Sequence, residues 1–332
     1  MSSFPSAQAS EEDAEYKNIS EKHRHLIETL PKHNGWWTPY LYNYNGFWLS
    51  PNILKSNLIL HSYFKPHPTD IFLASFMKSG TTWLKALIFS TLNRHRYSFS
   101  NHHLHNHSPH STFFMLDVES YPITDFTNSL TPRLFSTHFA HTLLPPCMSS
   151  CKFVYVCRDP KDVLISMWHF MNKIRPKDLP PLSLDEAFEL FCLGVSDYGP
   201  FWEQVLSYWR ASLEYPDKIL FLKYEEIKKE PEVVVRKLAA FFGKPISEEE
   251  EEKGEVKEIV KLCSFENLSN LEVNKEGFEK FGTLVDIEKR GFFRKGVIGD
   301  WKNYLSEEMK ERIDGIIDEK FKGSGLVFAT KV

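Results

Sequence analysis

The sequence predicts an α/β fold with a central parallel sheet covered by helices on both faces. Three observations predict it. From about residue 70, short and nearly continuous apolar runs alternate with longer helical patterns. Such unbroken runs fit strands buried on both faces rather than on one. Polar or glycine-containing turns follow the runs and open helices, as βαβ units do. Right-handed crossovers then gather the strand C-termini on one edge, where such sheets bind ligands.

Each element has its own signal. Asp70-Ile-Phe-Leu-Ala-Ser-Phe76 is an apolar strand running into a glycine turn. Arg133-Leu-Phe-Ser-Thr137 is a weaker strand. Cys151-Lys-Phe-Val-Tyr-Val-Cys157 and Lys218-Ile-Leu-Phe-Leu-Lys-Tyr224 are β-branched and aromatic strands. Helical patterns cover 81–94, 160–175, 183–197, 199–215 and 230–243. Asp159-Pro160 offers an N-cap followed by proline at the first helical position. Ser247-Glu-Glu-Glu250 reads as a capping box, with acidic residues where the helix dipole favours them. Residues 1 to 25 are polar and acidic, which predicts a mobile tail ahead of a single domain over 26–332.

Composition narrows the function classes. The 332 residues carry 40 basic and 44 acidic side chains, a net charge of −4, which lacks the basic footprint of a nucleic-acid binder. A local basic pocket for a small anion remains compatible with that balance. The 27 Phe, 13 Tyr and 8 Trp are enough to fill a core and line a pocket for a flat apolar ligand. The 5 cysteines are odd in number and form no Cys-x-x-Cys pair, which predicts a reducing compartment. The first residues, MSSFPSAQASEEDAEYKNIS, contain no apolar run and no Arg, unlike a signal or transit peptide. No stretch approaches the apolar length of a membrane span; the best run, near Leu84 to Leu92, is interrupted by Lys85. A cytoplasmic protein with no membrane partner is the expectation.

Three segments carry chemistry. The first is Ser75-Phe-Met-Lys-Ser-Gly-Thr-Thr-Trp83. A buried strand entering a glycine turn and then a helix leaves backbone amides aimed at an anion site. Lys78 adds a charge; Ser79, Thr81 and Thr82 add hydroxyl donors around Gly80. This is not a Walker A loop, because Ser75 occupies its first glycine position and the Lys precedes Gly80. The second segment is Val154-Tyr-Val-Cys-Arg-Asp-Pro-Lys-Asp-Val-Leu-Ile-Ser166. It places Arg158 at a strand end, suited to bidentate phosphate binding, with Ser166 two helical turns on. The third is Phe293-Arg-Lys-Gly-Val-Ile-Gly-Asp-Trp-Lys302, in which Arg294 and Lys295 precede Gly296.

In this order and spacing the segments resemble the cytosolic sulfotransferase family, most nearly its plant members. Leu134-Phe-Ser-Thr-His138, Pro200-Phe-Trp-Glu203, Lys223-Tyr-Glu-Glu-Ile227 and Cys263-Ser-Phe-Glu-Asn-Leu268 extend the resemblance from about Leu30 to about Phe328. It implies a P-loop NTPase-like three-layer fold. It also implies the sulfuryl donor 3′-phosphoadenylyl sulfate (PAPS) as co-substrate, a small hydroxylated acceptor and no metal. By match, Lys78, Ser79, Gly80, Thr81, Thr82 and Trp83 would wrap the 5′-phosphosulfate, with Trp83 against the adenine. Arg158 and Ser166 would hold the 3′-phosphate, under Arg294, Lys295 and Gly296. Tyr224, with Ser264 and Phe265, would touch the adenine. His138 matches the catalytic base, and Lys78 would neutralise the leaving oxygen. Acceptors of plant relatives include flavonoids, steroids such as brassinosteroids and hydroxylated hormones.

Departures from the pattern are specific. Met77 stands where the family usually has Pro, and Phe139-Ala140 follow His138 in place of a Leu or Ile and Pro. Ser136 replaces the Lys that animal members carry two residues before that His. The animal dimerisation motif is not recognisable around Lys302–Glu311, which favours a monomer. His141 competes with His138 for the base assignment, though the Thr-His order favours His138. Phe47, Trp48, Phe139 and Phe170 are candidate acceptor walls. The tract Asn101-His-His-Leu-His-Asn-His-Ser-Pro-His110 lacks the nearby acids or cysteines of a metal site. Two other readings compete with the transferase: a nucleotide-binding relative with weak or no turnover, and a P-loop nucleotide kinase.

Overall fold

The structure is a computed structural model and describes residues 7–118, 132–281 and 285–328. It opens with helix α1 (Ala7–Thr29), a small sheet of β1 (Lys32–Asn34), β2 (Tyr40–Tyr44) and β3 (Phe47–Leu49), and α2 (Pro51–Tyr63). The α/β body follows as β4 (Ile71–Ser75), α3 (Thr81–Leu92), β5 (Phe114–Met115), β6 (Leu134–Thr137), β7 (Lys152–Cys157), α4 (Pro160–Ile174), α5 (Leu184–Cys192), α6 (Phe201–Glu214) and β8 (Ile219–Lys223). After it come α7 (Tyr224–Lys229), α8 (Pro231–Phe241), α9 (Glu248–Glu252), α10 (Glu255–Leu262), α11 (Phe265–Asn270) and α12 (Glu272–Lys275). A hairpin of β9 (Phe278–Phe281) and β10 (Val285–Glu288) and a last helix, α13 (Glu307–Lys320), complete the described chain.

The main sheet has the order β5-β6-β4-β7-β8, and every neighbouring pair is parallel. This is the predicted α/β class, with all four predicted strands in it. Its two faces are chemically distinct. Phe72 and Ala74 of β4 and Phe153, Tyr155 and Cys157 of β7 face one core. Ile71 and Leu73, with Val154 and Val156, face the other. Side chains alternate with period two along a strand, so apolar residues at every position mean that both faces are covered. Residues of α4, α5, α6 and α13 cover the aromatic face; α3, α8 and α10 cover the aliphatic one. Across the aromatic face Phe72 stacks between Phe135 and Phe153, with ring centroids 5.2 and 4.8 Å away.

Three local outcomes differ from expectation. The polar, acidic N-terminal segment carries no helix signal in the sequence, yet Ala7–Thr29 is helical. Ile19 and Leu26 pack with Leu58 of α2, a sparse apolar stripe hidden in a polar segment. The helix predicted over 183–197 ends at Cys192. Gly194 follows at φ +77°, the left-handed geometry that stops a helix, and releases residues 195–200 as a loop. The β2–β3 hairpin turns on Asn45 and Gly46, both at positive φ, a strong local signal that the long-period pattern obscured.

Parallel pairing puts the C-termini of β4, β6, β7 and β8 on one edge. The residues immediately beyond them are Phe76, His138, Arg158 and Tyr224. Phe72→Ala should therefore destabilise the whole unit by about 3–5 kcal/mol, the cost of emptying a buried aromatic site. Urea unfolding monitored by circular dichroism measures this, and Phe72→Leu should lose less.

Candidate active site

The chain between β4 and α3 makes a tight turn with Lys78 at φ +66° and Gly80 at φ +109°. Only glycine takes the second value readily. A Cβ there would also lie 2.7 Å from Cδ2 of Tyr224, so the Tyr224 ring is packed directly on the loop. Gly80 is the N-cap of α3 and brings no side-chain cap, leaving the amides of the first turn open to an anion. The Thr81 hydroxyl is 2.7 Å from that of Ser75, and Thr82 Oγ1 is 2.9 Å from His110 Nε2. Ser79 is turned inward: its amide donates to the Phe76 carbonyl, and its buried hydroxyl has no partner among the described residues.

Cations surround this loop. Lys78 Nζ lies 3.9 Å above the Phe170 ring. Burial, with the positive charges of Arg294, Arg158 and Lys173, pulls its pKa down to about 7. No carboxylate lies within ion-pair distance of it among the described residues. Arg158 is buried, with its guanidinium 4.5 Å above the Tyr224 ring. It donates to the carbonyls of Val297 (2.7 Å) and Lys78 (3.4 Å), pairs with Asp162 at 3.3 Å, and leaves its Nε without a partner among the described residues. Asp162 also accepts from the amides of Gly299 and Trp301, which ties the segment after Phe293 to the first turn of α4. Within that segment Arg294 and Lys295 both bond Asp300. Gly296, at φ +64°, is so close to Phe265 that a Cβ would lie 2.5 Å from its ring. Ser166 borders the same cavity from α4.

His138 follows β6 and is fixed in orientation. Its Nδ1 lies 2.8 Å from the Ser75 carbonyl oxygen. A carbonyl only accepts, so Nδ1 carries the proton and Nε2 keeps a free lone pair. Burial lowers the His138 pKa to about 4; the Ser75 contact opposes this, and the charges of Lys85 and Lys78 reinforce it. The His138 amide donates to Asp117 at 2.6 Å, and Thr137 Oγ1 donates to the other oxygen of Asp117 at 2.5 Å. Burial raises Asp117 to about 6, against these bonds and one from the Tyr198 phenol. The competing His141 lies against Tyr208 and does not border the cavity.

Two residues at the site escaped the sequence patterns. Lys85 of α3 is buried, borders the cavity and has a pKa lowered to about 8, chiefly by burial. Its Nζ is 3.4 Å from Nδ1 of His110. An ammonium only donates, so His110 presents a lone pair to Lys85 and donates from Nε2 to Thr82. The histidine tract is thus no single cluster: His110 joins the site, while His103 and His107 stack on each other at 3.8 Å. No group of metal-ligating side chains occurs among the described residues.

The sulfotransferase domain family matches residues 68–325. Cytosolic sulfotransferase 12 of Arabidopsis thaliana is 46% identical over 321 residues, covering 95% of this chain and 96% of that one. The chain belongs to the sulfotransferase family. A solved Arabidopsis thaliana "putative steroid sulphotransferase" superposes with a TM-score of 0.74 at 38% identity, covering 99% of this chain and 100% of that one. Mouse sulfotransferase SULT7A1, solved in complex with adenosine 3′,5′-bisphosphate (PAP), superposes at 0.66 with 27% identity, covering 86% of this chain and 95% of that one.

Of the predicted donor-site and catalytic residues of this sulfotransferase, all but Ser79 and Ser264 border one continuous cavity. Phe265 borders it and Ser264 does not. The lining of the cavity is mostly apolar. Phe170 is the one proposed acceptor wall that lines it; Phe47, Trp48 and Phe139 do not. Phe139 points into the core, edge-on to Tyr198, because residues after a strand end continue its alternation. Met77, Met115, Phe281, Val285 and Phe292 supply the apolar lining instead.

The Lys78 amine should titrate near 7, far below exposed lysines. Reductive methylation with carbon-13 formaldehyde gives one resonance per lysine, and that of Lys78, assigned with Lys78→Arg, should move between pH 6 and 8. Added PAP should displace the midpoint upward, because an anion favours the charged form.

Proposed function

We propose that this sulfotransferase transfers the sulfuryl group of PAPS to a hydroxyl of a small, mostly apolar acceptor, with His138 as general base. The observation that carries this is the His138 imidazole, locked by Ser75 in the tautomer with a free Nε2, in the same cavity as the Lys78 loop. The acceptor oxygen attacks sulfur while the bond from sulfur to the 5′-phosphate oxygen breaks. The acceptor proton passes to Nε2, and the departing electron pair stays on the phosphate oxygen beside Lys78. Positioning and fixed charge do most of the work, as in phosphoryl transfer.

The donor's parts have matching partners. The α3 N-terminus, Lys78, Thr81 and Thr82 suit the 5′-phosphosulfate. Arg158, Ser166 and the Arg294–Gly296 turn suit the 3′-phosphate. Trp83 and Tyr224, at 5.6 Å and 71° to each other, and Phe265 offer aromatic faces to adenine. Ser79 contributes through the turn rather than by contact. No step calls for a metal. All these groups come from one chain, so a monomer is complete, and the cytosol is its place of action. A flavonoid, a steroid or a hydroxylated hormone fits the apolar lining, in keeping with the steroid named for the Arabidopsis structure.

Calorimetric titration with PAP in EDTA tests the reading first; micromolar or tighter binding is expected. His138→Ala should then abolish transfer while PAP affinity changes less than threefold, and normal turnover in that variant would remove the base assignment. Arg158→Lys should weaken PAP by about 10–100-fold, the loss of a charge-assisted fork. Adenosine 5′-phosphosulfate, which lacks the 3′-phosphate, should be affected far less.

A further inference from the structure

The loop released by the early end of α5 carries an acid that the mechanism above does not use. Asp197 is fully buried and borders the cavity, as do its neighbours Trp37 and Tyr198. Its Oδ1 accepts from the Trp37 indole at 3.0 Å. Its Oδ2 is buried and meets no donor among the described residues. No cation lies within ion-pair distance of it among them. Burial raises its pKa to about 6, against the Trp37 bond and its own amide, so near neutral pH it is mainly a carboxylate.

The position is held firmly. The Trp36 indole donates to Val195 at 2.8 Å. The Tyr198 amide donates to Trp48, and the Trp48 amide to Gly199, both at 2.8 Å. The neighbouring Tyr198 ring stands 5.3 Å from His138. A bond to Trp37 alone needs a single acceptor atom; a bare second oxygen in an apolar wall is costly unless a ligand completes it.

Resting on the transferase reading, we propose that Asp197 is a specificity-determining residue that selects acceptors bearing a second hydrogen-bond donor, such as a hydroxyl, apart from the hydroxyl that is sulfated. Diols and polyhydroxylated ring systems are the favoured class. Monohydroxylated apolar acceptors leave Oδ2 unpaired and are disfavoured, the kind of discrimination that a buried polar group enforces.

The test is calorimetric binding to the PAP-saturated protein of 2-naphthol, 2,6- and 2,7-dihydroxynaphthalene and 6-methoxy-2-naphthol, followed by kcat/KM for each with PAPS. At least one diol should bind roughly tenfold or more tighter than 2-naphthol, beyond the factor of two from its two equivalent hydroxyls. The methoxy compound, which only accepts, should gain nothing. Asp197→Leu should erase the preference. Asp197→Asn keeps the acceptor for Trp37 and the volume, so it guards against a folding defect. Its Nδ2–H donates to ether and hydroxyl alike, so the methoxy compound should improve to near the diols. Equal binding of diols and 2-naphthol, diols that do not bind, or a methoxy compound still disfavoured against the diols in Asp197→Asn would each overturn the proposal. Failure of PAP itself to bind would instead remove the transferase reading beneath it.

Discussion

Lys78, Lys85, Arg158 and Arg294 line one cavity, and holding their charges together is the constraint to which much of the surrounding chain responds. Like charges in a low-dielectric pocket repel. Burial lowers the pKa of Lys78 to about 7, reinforced by Arg294, Arg158 and Lys173, and burial alone lowers Lys85 to about 8, against the pull of Asp117 and Glu279. Arginine cannot lose its charge, so Arg158 and Arg294 are given acids, Asp162 and Asp300. Those acids do double duty. Asp162 binds Arg158 and the amides of Gly299 and Trp301, while Asp300 gathers Arg294, Lys295 and Asn303. The segment that would cover a 3′-phosphate is thus anchored by the carboxylates that make its cations tolerable.

The parallel sheet explains how residues far apart in sequence reach that cavity. The Lys78 loop, His138, Arg158 and Tyr224 each follow a strand directly, so a shared register of strand ends becomes a shared site. Close backbone approach does the rest. Gly80 against Tyr224 and Gly296 against Phe265 leave no room for a Cβ, so two aromatic rings are seated on the two turns proposed to bind phosphate.

This geometry also separates what the sequence could reveal from what it could not. Residues at strand ends form contiguous motifs, so Lys78 to Trp83, Arg158 and His138 were legible. The buried faces of β4 and β7 were legible as unbroken apolar runs. Lys85, Asp117 and Asp197 are single charged residues whose neighbours lie elsewhere in the chain. Lys85 registered only as an interruption in an apolar helix, which is itself the usual trace of a buried functional charge. His110 was hidden among histidines with other fates. Helix α1 was missed because its packed stripe is thin, and α5 was drawn too long because Gly194 was not weighed as a stop. The acceptor walls failed for a related reason. Aromatic residues near a motif in sequence alternate between the cavity and the core, and Phe139 went to the core.

The low pKa of His138 bears on how such a base can act. A pKa near 4 ensures a free lone pair, but a weak base takes a proton reluctantly. Part of the depression comes from the charges of Lys85 and Lys78, which line the same cavity. A bound polyanionic donor offsets those charges and raises the basicity of Nε2. Bond breaking then adds negative charge at the bridging oxygen, which favours an imidazolium nearby. On the proposed reaction His138 would be the weakest base when the donor site holds no anion, and would strengthen as the donor binds and the sulfuryl group departs. Ser75 supports the same sequence, since its carbonyl, already bonded to Nδ1–H, is the group that stabilises the imidazolium once Nε2 is protonated.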